Sequence, residues 1–238
     1  RMRVEYTLAS TLWRQSCSAK SEDGLCLEAV RVRTPANLPR LSCAPDGVTW
    51  KVLPRKAALA TEAKQLFANV IKEYEKRGGR IGSNPDDPSY GYFHGRAKLA
   101  LADVDLEATL AIAPPADEKG LANWVQEKQK LGGKALDRYR DLVRAKPVAV
   151  AATSRIALAQ QRFADSLYGF AVPRSIRSKP TTIDAFCNAL EAVIEPLHEQ
   201  ALASHRACLQ AATDANLVDD STRTCERARV PSWRASSA

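Results

Sequence analysis

Apolar side chains recur every three or four residues through most of this chain, and that spacing constrains the fold more than any other feature. It runs from Pro54 to about Thr213. A helix gathers such positions onto one face, whereas a strand alternates them between two faces. Alanine, the strongest helix former, supplies 39 of the 238 residues and is depleted from strands. The pattern therefore predicts a helical protein.

Glycine and proline divide this pattern into separate helices, because neither favours a helix interior. The sequence predicts helices over residues 1–16, 54–77, 90–112, 117–142, 147–170, 181–213 and 217–228. We expect an all-α fold, an antiparallel helical array that either closes into a bundle or extends as a tetratricopeptide-like α-solenoid.

Residues 17–53 break the helical pattern with prolines, glycines and three cysteines. They indicate an irregular connection with a short hairpin between residues 29–33 and 48–53. The expected organisation is an N-terminal helix plus this connection over 1–53, a helical array over 54–228 and a loose tail over 229–238.

In two predicted helices the row of apolar side chains along one face, here called the seam, predicts how the helix packs. In the first helix Val4, Leu8 and Leu12 share a face, and this face suits a partner helix that lies earlier in a longer chain. In the fourth helix the seam includes Lys128 and keeps its phase through Gly132. We therefore expect one helix there, in which this glycine permits close approach of a neighbour.

Six cysteines occur without the spacing of metal ligands. They are Cys17, Cys26, Cys43, Cys187, Cys208 and Cys225. An even number with no C-x-x-C pair and only three histidines predicts disulfides, and hence an oxidising compartment. The alternative is that they are buried free thiols of a reduced, cytosolic protein.

The turn between the last two predicted helices favours one pairing. It falls near residue 216, and Cys208 and Cys225 lie equally far from it along the chain. In an antiparallel hairpin the two thiols therefore face each other. Cys187 is the competing partner of Cys225.

The remaining cysteines are placed by proximity alone. Cys17 and Cys26 are expected to pair across Gly24, because they are close along the chain. This leaves Cys43 and Cys187, which are either free or joined at long range.

The net charge of +8 raises the question of an anionic partner. Its excess is concentrated between residues 51 and 100, and the basic residues over 55–77 fall on the polar face of a predicted helix. We interpret this face as solvated, and we expect no nucleic-acid partner, because no recognisable nucleic-acid module occurs. The alternative is a stripe that binds phosphate or another anion.

One segment has the spacing of a metal site. Glu195 and His198 form a Glu-x-x-His pair, as in di-iron bundles, but such a site needs a second pair. No G-x-S-x-G, P-loop or G-x-G-x-x-G motif occurs. We therefore expect no metal, no cofactor and no catalytic residue.

Two other groups of chemically reactive residues are interpreted as structural rather than catalytic. Asp103, Asp105 and Glu107 are interpreted as a solvated acidic cluster on a helix. His205 stands three residues before Cys208, but Cys–His catalysis needs a free thiol and we assign Cys208 to a disulfide. The chain is therefore not expected to be an enzyme.

Aromatic side chains fall on or beside the apolar seams. These are Tyr92, Phe93, Trp124, Tyr139, Phe163, Tyr168, Phe170 and Phe186. Core packing is the interpretation that we adopt, with a concave aromatic binding surface as the alternative.

The stretch from Phe93 to Pro115 is similar to a tetratricopeptide helix in its small-residue spacing and terminal proline. Further matching segments are residues 12–17, 24–26, 128–130, 151–159, 172–173, 186–187, 205–208 and 225–227. Together they resemble the C-terminal part of large tetratricopeptide-type proteins of myxobacteria, although no 34-residue unit repeats cleanly. The resemblance implies an exported, envelope-associated scaffold, with some relatives linked to gliding machinery.

These observations predict a non-catalytic protein–protein interaction module of a larger exported cell-envelope protein. Its partners are expected to be envelope proteins, in the periplasm or at the outer envelope. No apolar run reaches the length of a membrane span. The alternative function is a basic helical module that binds nucleic acid or an anionic envelope polymer.

Overall fold

The computed structural model describes residues 1–18, 24–31, 42–43, 48–78, 88–113, 115, 120–145, 148–169, 171–177 and 179–227. The elements are α1 (Met2–Ser16), β1 (Leu27–Arg31), β2 (Val48–Val52), α2 (Ala57–Lys76), α3 (Pro88–Leu110), α4 (Leu121–Val143), α5 (Ala149–Tyr168), α6 (Pro180–Asp214) and α7 (Asp220–Arg227). The predicted all-α class is confirmed. The predicted tail over 229–238 lies outside the described residues.

Each helix packs against the next along the chain, and alternate helices also touch. Helices α1, α3, α5 and α7 contact one another in that order, while α2, α4 and α6 each pack against the odd-numbered helices on either side. Among the described elements, α1 meets only α2 and α3. The array is therefore open at this end, and α1 belongs to the same packed unit as the helices that follow.

In the described residues the apolar core follows the array in four successive clusters. Phe67 lies in the cluster between α1, α2 and α3, Tyr139 in that between α3, α4 and α5, Ile194 in that between α4, α5 and α6, and Cys208 in that between α5, α6 and α7. The helices from α2 to α6 thus bury apolar side chains against the helix before and the helix after.

Helix α1 does not turn its Val4 and Leu8 stripe towards α2 and α3. Core contacts come from Met2, Ala9 and Trp13, whereas Val4 and Leu8 are 69% and 46% exposed. The helix carries two apolar stripes, and only one faces α2 and α3. Burying the large indole of Trp13 removes more apolar surface from water than burying a valine would.

The close approach that requires glycine is at Gly95 rather than at Gly132. Helix α4 is continuous through Gly132 as expected, but a methyl group there would lie an ordinary 3.5 Å from Thr109 Cγ2. A methyl group at Gly95 would lie 2.6 Å from Val148 Cγ2. Only glycine therefore fits where α3 meets the start of α5.

The N-terminal connection contains the expected hairpin, but its first strand begins and ends two residues earlier than the sequence predicts. Strands β1 and β2 pair antiparallel, with Leu27 opposite Val52 and Arg31 opposite Val48. Strand β2 also packs against α3 and α5. The hairpin is thus fixed on the odd-numbered helices.

All six cysteines form disulfides. Cys17 bonds Cys26, Cys43 bonds Cys187, and Cys208 bonds Cys225, with Cα separations of 5.5, 5.3 and 6.2 Å. These separations are ordinary for disulfides. The bonds are typical of an oxidising compartment and not of a reduced cytosol.

A tight turn brings Cys208 and Cys225 together. Helix α6 ends beside Asn216, whose φ of 48° lies in the left-handed region that asparagine tolerates. Asp219 Oδ1 then accepts hydrogen bonds from the N–H groups of Ser221 and Thr222, at 2.9 and 3.1 Å. This cap starts α7 antiparallel to the end of α6.

Candidate functional site

Two carboxylates of α3 are buried, which corrects their interpretation as part of a solvated cluster. Asp103 and Glu107 are 4% and 7% exposed, and only Asp105 is partly solvated. Each buried carboxylate pairs with an arginine from another element, Asp103 with Arg155 and Glu107 with Arg55. Burial of a charge is tolerated because an opposite charge and further hydrogen bonds accompany it.

Arg55 is also buried, although the sequence placed it on the solvated face of a basic helix. Its five N–H groups have acceptors at 2.5 to 3.1 Å. These acceptors are both Glu107 carboxylate oxygens, the Trp13 and Gly24 carbonyls, and Ser16 Oγ. Its guanidinium also lies 3.7 Å from the centre of the Trp13 ring. Arg55 therefore joins α1, the Cys17–Cys26 loop and α3.

Asp103 organises a second buried network. Its Oδ1 accepts hydrogen bonds from Tyr139 Oη at 2.7 Å and from Arg155 Nε at 2.9 Å. Burial raises the pKa of Asp103 although the Arg155 charge opposes this rise, and burial also raises the pKa of Tyr139. The network ties α3 to α4 and α5.

A cleft of about 470 Å³ lies beside these networks, where α1, α3, α5 and α7 come together. Gly24 of the disulfide loop and Phe67 of α2 complete its walls. Gly24 has a φ of 78°, and a methyl group there would lie 3.2 Å from Arg155 Nη2. Both the backbone conformation and the space beside the cleft therefore favour glycine.

The cleft is polar and carries more positive than negative side chains. Arg14, Arg96 and Arg155 line it, together with Asp103 and Asp220. Thr7, Ser10, Ser221 and Thr224 line it as well, and the hydroxyls of Thr7 and Thr224 donate to carbonyls of their own helices. Such a surface can donate several hydrogen bonds to an anionic or carbonyl-rich ligand.

A second cavity, of about 480 Å³, lies between α3 and α4. Its two cationic side chains form ion pairs with carboxylates that do not line the cavity. Lys98 pairs with Glu75 at 3.0 Å, and Arg138 pairs with Asp105. His94 stacks on Tyr74 with ring centres 4.2 Å apart, and burial lowers its pKa. This cavity therefore offers less unengaged charge to a ligand than the cleft does.

The residues of the predicted Glu-x-x-His pair are separated by their environments. Glu195 is exposed, whereas His198 is buried with its ring 5.5 Å from that of Tyr168. In the described part of the chain, no group of three or more histidine, cysteine or acidic side chains could hold a metal ion. Neither residue lines the cleft.

His205 and Cys208 serve the interface between α5 and α6. His205 Nε2 lies 3.2 Å from Gln161 Oε1, and burial lowers the pKa of His205 to about 4. The Cys208 sulfur is bonded to Cys225. The histidine is therefore neutral at physiological pH and the sulfur is not a free thiol.

Aromatic side chains pack in the core, as interpreted from the sequence. Those in or against the apolar clusters are Tyr92, Phe93, Trp124, Tyr139, Phe163, Tyr168 and Phe186. Phe170 lies outside the described residues. The aromatic groups of the cleft itself are instead Tyr6, Trp13 and Phe67.

The cleft arginines were not singled out by sequence reasoning. Arg155 did carry a signal, because it stands alone among small and apolar residues over 148–159. An isolated charge in such a run needs a buried partner. Arg14 and Arg96 carried no comparable signal, since arginines on amphipathic helices are usually solvated.

In comparisons with known proteins, no family model, curated protein or solved structure matches the chain. No described helix combines the length and apolarity that crossing a bilayer requires. The chemistry of the cleft is therefore argued from its own residues.

Proposed function

We propose that this chain is a non-catalytic protein-interaction module and that the cleft binds a segment of a partner protein. The observation that carries the proposal is the meeting of α1, α3, α5 and α7 around one polar cleft. With Phe67 of α2, five helices from distant parts of the sequence contribute to it, so a ligand there contacts several elements at once.

Buried interactions fix the walls of the cleft before any ligand arrives. The Arg55–Glu107 pair holds α1 and the Cys17–Cys26 loop against α3. The Asp103–Arg155 pair holds α5 against α3. A preorganised site binds more tightly, because less conformational entropy is lost on binding.

The cellular setting that we propose is the periplasm or outer envelope of a bacterium, as part of a larger exported protein. The three disulfides support an oxidising compartment, and the resemblance to tetratricopeptide-type envelope proteins supports the finer location. Fractionation of the native cells with antibody detection tests this, and recovery in the cytosol with reduced cysteines would contradict it.

Peptide selection with a matched pair of variants tests the cleft. Thr7 is exposed and lines the cleft, whereas Thr61 is exposed on α2 and does not. A random peptide library displayed on phage is selected on the wild-type protein, and the selected peptides are measured on Thr7→Trp and Thr61→Trp. We expect the indole at position 7 to weaken binding at least about tenfold, and the one at 61 to leave it unchanged.

Two results would reject the proposed function. One is the failure of any peptide to be enriched over a library selected without protein. The other is that every enriched peptide binds Thr7→Trp as tightly as the wild type. Circular dichroism of both variants first establishes that each is folded.

A further inference from the structure

We infer that the cleft recognises a carboxylate, carried by an acidic side chain or by the chain end of the partner segment. The inference rests on the proposed function, because it names the chemistry of the ligand in the same cleft. It follows from a comparison of four arginines in and beside the cleft, which differ in whether a buried carboxylate of the chain already accepts hydrogen bonds from them.

Two of the arginines pair with buried carboxylates. Arg55 directs two of its five hydrogen bonds to Glu107, one to each carboxylate oxygen, and Arg155 donates to Asp103 from the wall of the cleft. Breaking either pair would leave an uncompensated buried charge, which is strongly destabilising. These two arginines therefore serve the fold first.

The other two, Arg14 and Arg96, line the cleft, and in the described part of the chain neither pairs with a buried carboxylate. Arg14 is exposed, and in the described part of the chain its side chain bonds only the Ser10 carbonyl of its own helix, at 3.3 Å. Arg96 donates to Tyr92 Oη at 3.0 Å, and its Nη2 makes a long ion pair of 4.0 Å with the partly exposed Asp219, beyond hydrogen-bond distance. Helices α1 and α3 contact each other, so adjacent helices present both guanidiniums to one space.

A carboxylate matches these donors in shape and charge. A guanidinium donates two parallel N–H groups to the two oxygens of a carboxylate, and this bidentate pair is among the stronger hydrogen-bonded contacts in proteins. The hydroxyls of Ser10 and Ser221 line the same cleft and can donate to a neighbouring peptide carbonyl.

The acidic groups of the cleft disfavour a polyphosphate. Asp220 lines the cleft and Asp219 stands near Arg96, so a row of phosphates, with its several negative charges, would meet more repulsion than one carboxylate. The volume of about 470 Å³ is that of a small-ligand site and suits a short peptide segment. We therefore argue for a carboxylate-bearing peptide over nucleic acid.

Nuclear magnetic resonance with defined probes tests the inference. The reporter is the indole N–H of Trp13, one of four tryptophans, assigned by its loss in Trp13→Phe. The probes are a short alanine–glutamate peptide with both ends blocked, its alanine–glutamine counterpart, an alanine peptide with a free carboxyl end, and an oligothymidylate. We expect one or both carboxylate peptides, and neither of the others, to shift the Trp13 signal saturably at millimolar concentration.

Charge-removing variants locate the contact. We expect Arg14→Gln and Arg96→Gln each to weaken the effective probe about tenfold, and Lys72→Gln, an exposed control on α2, to change it less than twofold. Which of the two carboxylate peptides binds distinguishes a side-chain from a terminal carboxylate.

Three outcomes would overturn the inference. They are equal shifts by the glutamate and glutamine peptides, a shift by the oligothymidylate alone, and no shift by any probe. In each case the peptide selection with Thr7→Trp still decides the proposed function, because that experiment does not depend on the charge of the ligand.

Discussion

Two carboxylates of α3 that stand two residues apart have opposite environments. The Glu107 side chain is 9% exposed and pairs with the equally buried Arg55, whereas the Asp105 side chain is 37% exposed and pairs with the more exposed Arg138. Removing one partner of a buried pair strands the other charge, while an exposed pair contributes little.

We therefore expect Glu107→Gln to lower the free energy of unfolding by about 3–5 kcal/mol and Asp105→Asn by less than about 1 kcal/mol. Urea denaturation followed by circular dichroism measures both. Equal losses would show that the Arg55 network does not hold α1 to α3.

Lys128 is a buried cationic side chain that has no ion pair with a carboxylate in the described residues. It is 2% exposed, and its Nζ makes one hydrogen bond, to Ser166 Oγ at 3.3 Å, and lies 4.9 Å from the Trp124 ring centre. Burial lowers the pKa of Lys128 to about 8. The folded chain therefore loses this proton at a lower pH than the unfolded chain, whose lysine keeps its ordinary pKa near 10.4.

This difference makes stability depend on pH in a defined direction. Between about pH 8 and 10.4 the unfolded state binds more protons, so the Lys128 contribution to stability rises with pH. We expect Lys128→Met to stabilise the protein below pH 8 by up to about 3 kcal/mol, and the gain to shrink as the pH rises through that window. Urea denaturation at neutral and alkaline pH measures it.

The control is Lys130→Met, because Lys130 is exposed on the same helix. Its effect should stay within about 0.5 kcal/mol at either pH. A gain for Lys128→Met that does not vary with pH would mean that burial has not displaced the pKa of Lys128.

At the scale of the elements, the buried faces of the amphipathic helices α4 and α6 could be predicted from the sequence, whereas those of the central helix α3 could not. Helices α4 and α6 bury the seams that their periodicity indicates, including Lys128 and Cys208. Helix α3 instead contacts α1, α2, α4, α5 and β2, so it has no single inward face. Helical spacing from Ala97, Leu101 and Val104 predicts that Ala108 faces inward, but it is exposed, while Asp103 and Glu107 are buried.

The candidate site could not be predicted from local spacing. Its two buried ion pairs each join residues 52 positions apart, and its walls come from five helices and a disulfide loop. Periodicity reports which side of a helix is apolar, but it does not report which distant arginine meets a carboxylate. The isolated charge of Arg155 was the one local signal.

Glycines in helix interiors give a prediction with its own control. A methyl group at Gly95 would meet Val148 at 2.6 Å, whereas one at Gly133 would meet nothing within 4 Å. We expect Gly95→Ala to destabilise the protein by about 1–3 kcal/mol through overpacking, and Gly133→Ala to stabilise it by up to about 1 kcal/mol. Thermal and urea unfolding measure both, and a stabilising Gly95→Ala would contradict the close approach.

For the whole molecule, the disulfides differ mainly in the length of chain that they close. The sequence separations are 9 for Cys17–Cys26, 17 for Cys208–Cys225 and 144 for Cys43–Cys187. A cross-link restricts the unfolded state more when it closes a longer loop. The long bond also joins the irregular N-terminal connection to α6, across most of the array.

We expect replacement of Cys43 and Cys187 by alanine to destabilise the protein by about 5 kcal/mol, and the same change at Cys208 and Cys225 by about 3 kcal/mol. Denaturant unfolding of the two double variants measures the difference. The reverse order would show that local packing at α6 and α7 outweighs the loop that each bond closes.

The Cys43–Cys187 bond also determines how the molecule bears a mechanical load. A pull on the two ends passes through the S–S bond, so the 144 residue steps that it bridges, which include α2 to α5, carry no tension. In single-molecule stretching, reduction of this bond should add roughly 500 Å of extensible chain. The oxidised molecule therefore extends little under load, and its helices from α2 to α5 stay folded. After reduction the same load can unfold these helices, and the molecule extends much further.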